Sequence, residues 1–241
     1  MHTPSPLPLV AAATVAAFVT LAPAARAIDI AINTKWAFIH ASNSDSALNA
    51  VPIALASIGV APGDRIELAR LGDWDNGPGG DVFGNLIAVF SASATLLPQS
   101  NLNRVVDAIE AGVDYATAPT YSGSEPTDVP TDFVIQGAAF PTGAICVIVP
   151  AGATHLFVAV PDSLYEDNSD PDGDFAVRIL LLDDCAADLD GSGSVDGGDL
   201  GVVLAGWGAS TVIGAPGDLD CNGTIDGSDL GLLLAAWGAC P

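Results

Sequence analysis

The C-terminal part of the chain contains one segment twice. "DLDGSGSVDGGDLGVVLAGWG" begins at Asp188, and "DLDCNGTIDGSDLGLLLAAWG" begins thirty residues later at Asp218. Each copy joins an acidic, glycine-rich stretch to a short apolar stretch that ends in Trp-Gly. Because both copies keep the same register, one local structure has to explain both, and this repeat constrains the fold more than any other feature.

The acidic stretch of each copy fits a twelve-residue calcium loop, with oxygen-bearing side chains at positions 1, 3, 5, 9 and 12. Position 7 contributes its backbone carbonyl, and position 6 is Gly193 or Gly223, where the sharp turn favours glycine. Position 12 is Asp instead of the longer Glu. The alternative interpretation is a pair of Asp-Gly surface turns without an ion. The predicted Ca²⁺ ligands are Asp188, Asp190, Ser192, Ser194, Asp196 and Asp199 in the first copy, and Asp218, Asp220, Asn222, Thr224, Asp226 and Asp229 in the second.

The apolar stretch of each copy predicts a helix of about nine residues, because its large side chains recur at i, i+3, i+4 and i+7. Gly208 and Gly238 are the expected C-terminal stops of these helices. We expect the two apolar faces to pack on each other, with Trp207 and Trp237 in the shared core. The residues on these faces are Leu200, Val203, Leu204 and Trp207, and Leu230, Leu233, Leu234 and Trp237.

No helix is predicted before either loop, since β-branched residues and Pro216 stand there. A loop followed by a helix, twice, resembles the type I dockerin module, in particular the cysteine-bracketed tails of secreted bacterial proteins. The resemblance implies a calcium-folded docking module with two Ca²⁺ ions that binds a cohesin-like or another surface receptor protein. Loop positions 10 and 11, which carry partner specificity in that family, depart from it here as Gly197-Gly198 and Gly227-Ser228.

The charge of the chain limits its partners. Asp and Glu outnumber Lys and Arg by 29 to 6, which gives a formal net charge of −23. Such a surface repels nucleic acid phosphates and anionic membranes, and it attracts cations. No Lys or Arg follows Cys185, so the eight loop carboxylates have no internal counter-charge there.

The N-terminus and the cysteines indicate export. Residues 1–27 are apolar and end in Ala-Arg-Ala, which predicts a secretory signal peptide cleaved after Ala27; an uncleaved apolar tail or anchor is the alternative. No later stretch is long enough for a membrane helix, so we expect a soluble, secreted or surface-associated protein without membrane insertion after cleavage. Four cysteines allow three pairings, and Cys185 with Cys240, which bracket the repeat, is the expected pair.

Residues 28–183 show short Ile-, Val- and Phe-rich runs between turn residues, which predict a mainly β domain built as an antiparallel, jelly-roll-like β-sandwich. The exception is residues 103–113, whose helical rhythm predicts a short connecting helix. The domain boundary is expected near Asp184. A second domain of residues 185–241 is then the small all-α pair of loop-helix units with two calcium loops.

The segment "VPAGATHLFVAVPDSLYEDNSDPDGDFAVRI" resembles the C-terminal hairpin of a galactose-binding-lectin-like sandwich family of exported bacterial proteins. In its lectin members this loop holds one calcium ion, which binds sugar hydroxyls. The resemblance therefore implies a carbohydrate partner, and the alternative is a solvated acidic turn. Asp170-Pro171-Asp172 interrupts the family pattern. The implied third calcium site comprises Asn76, Asp162, Leu164, Asp167 and Asn168, with Asn76 and Leu164 contributing carbonyls.

No catalytic motif occurs in the chain, and His40 and His155 lie in strand-like runs. We therefore expect a non-catalytic secreted protein, whose β-sandwich binds carbohydrate or serves in a surface or matrix and is attached through the dockerin-like module. The alternative is a dockerin-borne carbohydrate-active enzyme of polysaccharide breakdown, a glycoside hydrolase or an accessory subunit, because a glycosidase needs only two carboxylates about 5 to 10 Å apart.

Overall fold

The computed structural model describes residues 26–41, 45–77, 86–111, 121–122, 125–126, 129–135, 144–162, 164–182, 185–210 and 215–240. Residues 26–182 are called the body below, and residues 185–240 the C-terminal unit. Nearly all of the predicted signal peptide lies outside the described residues. Within these ranges no helix has the length and apolar character that crossing a membrane requires.

Most of the regular structure is β. The strands of the body are β1 (Arg26–Ala31), β2 (Trp36–Ala37), β3 (Leu48–Asn49), β4 (Ile53–Ala54), β5 (Arg65–Leu71), β6 (Asp75–Asn76), β7 (Leu86–Ser91), β8 (Ala108–Ile109), β9 (Tyr121–Ser122), β10 (Glu125–Pro126), β11 (Phe133–Ile135), β12 (Ala144–Ile148), β13 (His155–Ala159), β14 (Asn168–Ser169) and β15 (Ala176–Leu181), with a 3₁₀ helix at Leu55–Ile58. The C-terminal unit contains β16 (Ser194–Val195), α1 (Gly197–Ala205), α2 (Gly227–Ala235) and β17 (Gly238–Ala239).

The first large sheet has the strand order β1-β15-β5-β12, and all of its pairings are antiparallel. Residues of β5 alternate between two faces, as the pleat of a strand requires. Ile66 and Leu68 are buried on the inner face, whereas Arg65 and Glu67 are half-buried on the outer face. The outer face of this sheet also carries Ala69, Cys146 and Leu180, so it is mixed in character.

The second large sheet has the order β11-β7-β13-β4, again antiparallel, and β8 also pairs with β7. Every residue of β7 is buried. Ile66 and Val177 of the first sheet belong to the same hydrophobic cluster as Phe90 and Phe157 of the second. The prediction of a mainly β chain with antiparallel sheets is confirmed; the two-residue β2–β3 pair is parallel.

The predicted helix at residues 103–113 is wrong. The described part of this stretch forms an isolated bridge at Val105 and then strand β8. Its Arg104 side chain is fully buried and donates to the carbonyls of Ala37, Ile39 and Leu97. The hydrogen bonds to Ala37 and Ile39, which lie 67 and 65 positions away, hold the segment in a shape that its local periodicity does not indicate.

The C-terminal unit contains two helices and is not all-α as expected, because Ser194–Val195 and Gly238–Ala239 form the β16–β17 pair. Turns stand in front of both loops at residues 185–187 and 216–217, and one nine-residue helix follows each loop. A small cluster of buried apolar residues holds the two copies together: Ala187, Val195, Val203, Leu219, Ile225 and Leu233.

The predicted packing of the two tryptophans is wrong. Trp207 and Trp237 are each 48% exposed, and Leu204 and Leu234 are also exposed. The helices have their C-caps at Gly206 and Ala236, so the chain leaves the helix before it reaches Trp, and Gly208 and Gly238 are not the stops. Only one position of each apolar face, Val203 or Leu233, is fully buried.

Two disulfides join the described cysteines. Cys185 pairs with Cys240, as predicted, and Cys146 of β12 pairs with Cys221 of the second copy. The first bond closes the C-terminal unit, and the second ties this unit to the body.

Candidate metal centres in the repeated loops

Two aspartates of each copy are fixed by the helix that follows them. Asp196 is the N-cap of α1 and accepts a hydrogen bond from the backbone N–H of Gly198, while Asp199 at the third helical position accepts from the N–H of Asp196. Asp226 and Asp229 form the same capping box on α2. Local capping chemistry thus places loop positions 9 and 12 at a helix N-terminus, where negative charge is favoured.

The carboxylates of loop positions 1, 3 and 12 converge in both copies. Position 1 closes its loop from within, because Asp188 accepts hydrogen bonds from the N–H groups of Ser192 at 2.9 Å and Gly193 at 2.7 Å. Asp218 does the same in the second copy. Candidate ligand oxygens lie within 4.8 Å of one another in two triads, Asp188 with Asp190 and Asp199, and Asp218 with Asp220 and Asp229.

The remaining predicted ligands lie outside these triads. Ser192 Oγ donates to the carbonyl of Ser194 at 3.0 Å, and Asn222 Oδ1 accepts from the N–H of Thr224 at 2.8 Å. The Asp196 and Asp226 side chains are directed to their helix caps. The structure therefore groups three of the six predicted ligand positions in each copy and holds the other three close by in the same loop.

Two aspartates of the triads, Asp199 and Asp220, have pKa values that are shifted in opposite directions. Burial of Asp199 acts to raise its pKa, but hydrogen bonds from the N–H groups of Asp196, Asp190 and Leu189 outweigh burial and lower that pKa. Burial raises the pKa of Asp220, and the carboxylate of Asp229 adds to this rise. Charge within the second triad is therefore only partly compensated by the protein, which is the situation that a bound cation relieves.

The donor set fits a hard divalent cation. Three carboxylates per loop offer oxygen ligands, each carboxylate oxygen has two lone pairs, and the hydrogen bonds from the loop leave several of these free. Cys185 and Cys240 also lie near Asp188, but they are joined in a disulfide and offer no thiolate. Calcium suits this chemistry better than zinc, which prefers nitrogen and sulfur ligands.

The residues of the implied third calcium site are only partly brought together. Asn76 and Asn168 are register partners in the β6–β14 pair, and Asp162 Oδ1 accepts from the N–H of Leu164 at 3.4 Å. Asn168 is 2% exposed, and its Oδ1 has no hydrogen-bond partner among the described residues. An acceptor in that position suits a cation, and the Asp167 carboxylate lies beside Gly77, the residue after Asn76.

The acidic insertion beside this loop is a separate cluster. Asp170, Asp172 and Asp174 place carboxylate oxygens within 4.8 Å of one another. Asp170 accepts hydrogen bonds from the N–H groups of Gly173 and Phe175, so it closes its own turn. The insertion is thus a compact turn that follows the predicted ligand residues in the chain.

Residues far away in sequence hold the segment around Tyr165 and the second copy of the repeat, and the sequence analysis did not identify them. Asp45 accepts the N–H of Tyr165 with both carboxylate oxygens at 2.8 Å, and Lys35 Nζ donates to the carbonyl of Glu166 at 2.9 Å. Arg65 contacts the second copy of the repeat. No local pattern marks these residues, because each acts across more than a hundred positions of the chain.

Comparison with protein families, with curated proteins and with solved structures yields no match for this chain.

Proposed function

We propose that this is a secreted, non-catalytic protein that binds two calcium ions in its repeated loops and is attached through its C-terminal unit to a receptor at a scaffold or cell surface. The observation that carries the proposal is the duplicated carboxylate triad at the N-terminus of a capped helix. A chance pair of acidic turns has no reason to repeat the same three positions with the same hydrogen bonds. In this proposal Asp188, Asp190 and Asp199 hold one ion, and the equivalent second triad holds the other.

The test of calcium binding is the number of ions bound to the full chain, measured by native mass spectrometry after chelator treatment and calcium titration. We expect two ions from the loops, and one fewer for Asp190→Asn or for Asp220→Asn. Asp107→Asn, at an exposed aspartate of the body, is the matched control and should bind as many ions as the wild type. Unchanged stoichiometry in both loop variants contradicts the proposal.

The exposed apolar residues of the C-terminal unit are the proposed docking surface. Leu204 and Trp207 in the first copy, and Leu234 and Trp237 in the second, occupy equivalent positions and are about half exposed. Large apolar side chains grouped on a surface commonly mark an interface. Since the unit has no Lys or Arg, the complementary partner is a cohesin-like receptor domain with an apolar patch and basic residues around it.

Surface plasmon resonance against immobilised cohesin domains tests this surface. Binding should require calcium, weaken as salt is raised, and fall at least about tenfold for Trp207→Ala combined with Trp237→Ala, as for aromatic interface anchors. Leu102→Ala, an exposed leucine of the body, is the control. Binding that is insensitive to the tryptophans would assign attachment to another surface.

For the body we propose an antiparallel β-sandwich with a carbohydrate-binding or matrix role. The shared hydrophobic cluster of the two large sheets supports the sandwich, and the loop from Asp162 to Asn168 supports a third calcium ion. A glycan array probed in calcium and in chelator distinguishes the two roles. Calcium-dependent binding that Asp167→Asn abolishes supports a lectin-like site, whereas no binding in either condition supports a matrix role.

Export fits the cysteine chemistry. All four cysteines are paired, and disulfides persist mainly in oxidising compartments outside the cytosol. Detection of the disulfide-bonded chain, beginning at Ile28, in the culture medium or on the cell surface would support secretion. A chain found reduced inside the cell would oppose it.

A further inference from the structure

The second copy of the repeat is bound covalently to the outer face of the first sheet. Cys146 lies on β12 between Ile145 and Val147, whose side chains belong to the core cluster on the opposite face. Although Cys146 faces outward, it is only 1% exposed. Its disulfide partner is Cys221, which stands at position 4 of the second loop and is fully buried. The C-terminal unit therefore covers the sheet at this point.

Arg65 of β5 adds polar contacts at the same point. Its Nε lies 3.0 Å from the sulfur of Cys146 and 3.2 Å from the sulfur of Cys221. Its Nη2 donates to the backbone carbonyl of Asp218, the first residue of the second loop, at 2.9 Å. The backbone of loop position 1 and the side-chain sulfur of position 4 are thus held from outside the repeat, by a charged donor on a rigid strand.

The first loop has no comparable attachment to the body among the described residues. Its contacts are with the end of the C-terminal unit, through the β16–β17 pair and the hydrogen bond from the N–H of Cys240 to the carbonyl of Gly193 at 3.1 Å. On the side of the body, a cleft of about 310 Å³ separates Asp188 and Leu189 from Arg65 and Glu67. The first loop is therefore separated from the sheet at this cleft, whereas the second loop is bonded to the sheet through Cys221 and through Arg65.

Burial follows the same division between the two copies, although both keep the same aspartates in the same register. Asp218 is fully buried, whereas its counterpart Asp188 is half-buried. Position 4 is the buried Cys221 in the second loop and the exposed Gly191 in the first. Water therefore reaches the first loop more easily, and the contacts with the body that hold the second loop are not found at the first among the described residues.

We propose that the second loop is a fixed joint between the body and the C-terminal unit, with Arg65 as its positioning residue, so that only the first loop depends on a bound cation for its form. The part that concerns the cation rests on the proposed calcium function. A cross-link restricts the unfolded ensemble, and a hydrogen bond from a charged donor stabilises the loop in the absence of metal. The part of the docking surface on the second copy, Leu234 and Trp237, consequently keeps its orientation toward the body whether or not calcium is bound.

Hydrogen exchange of the full, disulfide-intact chain, read by mass spectrometry in chelator and in calcium, tests the proposal. In chelator, amides of the first loop and α1 should exchange at least about tenfold faster than the equivalent amides of the second loop and α2, the factor expected from one hydrogen bond with a charged donor. Equal exchange of the two copies in chelator overturns the proposal. If calcium changes the exchange rates of neither copy, the proposed calcium function is wrong. The difference in exchange between the two copies in chelator then still tests whether the second loop is a fixed joint.

Variants of Arg65 separate positioning from general stability. Arg65→Gln should raise exchange of the second copy in chelator about tenfold and give it the calcium dependence of the first copy, while Arg65→Lys, which keeps the charge, should restore part of the protection. Arg178→Gln is the matched control, since Arg178 lies on the outer face of the same sheet and pairs with Asp29. Peptides from β13 report whether the body is still folded. If the second copy of Arg65→Gln exchanges like the wild type, Arg65 is not the positioning residue.

Discussion

The body and the C-terminal unit are stabilised by different means. Among the described residues, the core cluster of the body comprises 36 buried residues, whereas that of the C-terminal unit comprises 6. A unit with so small a core is marginal without disulfides or metal. The body, in contrast, buries whole strands such as β7. The comparison indicates that one chain combines a domain held by apolar packing with a unit held by cross-links, helix caps and cation ligands.

The largest expected effect comes from the body. Phe157→Ala removes a fully buried ring between strands, and we expect it to lower the free energy of unfolding by about 3–5 kcal/mol with or without calcium. Denaturant unfolding followed by near-ultraviolet circular dichroism measures this. Leu102→Ala, at an exposed position, should change it little. A calcium-dependent loss would show that the body also relies on the ion.

Calcium should act on the C-terminal unit by mass action. At one hundred times the dissociation constant, each ion that binds only the folded unit stabilises it by about 2.7 kcal/mol. Chelator should therefore lower the denaturant midpoint of this unit by more than that of the body, because two ions are proposed for the unit and one for the body. Unfolding of the two regions can be followed separately by pulsed hydrogen exchange. Equal shifts in both regions would remove the distinction.

Within the C-terminal unit, one buried leucine should matter more than its exposed neighbour. Leu233→Ala opens the small cluster and should cost about 2 kcal/mol, the low end of the usual range because a small core can relax around a cavity. Leu234→Ala is the matched control at 53% exposure and should cost less than about 0.5 kcal/mol. Comparable losses would mean that the apolar face of α2 is buried as the periodicity alone suggested.

The smallest effect on stability is expected at the tryptophans. Trp207→Ala and Trp237→Ala should each change the free energy of unfolding by less than about 0.5 kcal/mol, because both side chains are half exposed. Fluorescence should report that the remaining tryptophans keep their environment in each variant. A loss of several kcal/mol from either variant would place that ring in a core and argue against a docking surface.

Local features of this chain are predictable from its sequence, and long-range ones are not. The capping boxes at Asp196 and Asp226 follow from residue spacing alone, because a helix N-terminus is satisfied by side chains a few positions away. The exposure of Trp207 depends on where the helix ends, and helical periodicity does not fix that point. The contact of Arg65 with Asp218 joins positions 153 residues apart, so no local pattern reveals it. Arg104 overrides the helical rhythm around it for the same reason.

The measurement that most directly tests the division between the two regions is a pair of ¹H–¹⁵N correlation spectra of the full, disulfide-intact chain, one in calcium and one in chelator. We predict that signals from the C-terminal unit shift or broaden in chelator, most strongly in the first copy around Asp199 and Val203, while those of Ile66 and Phe157 in the body stay in place. Identical spectra in the two conditions, or changes spread evenly over the body and the C-terminal unit, would contradict this account.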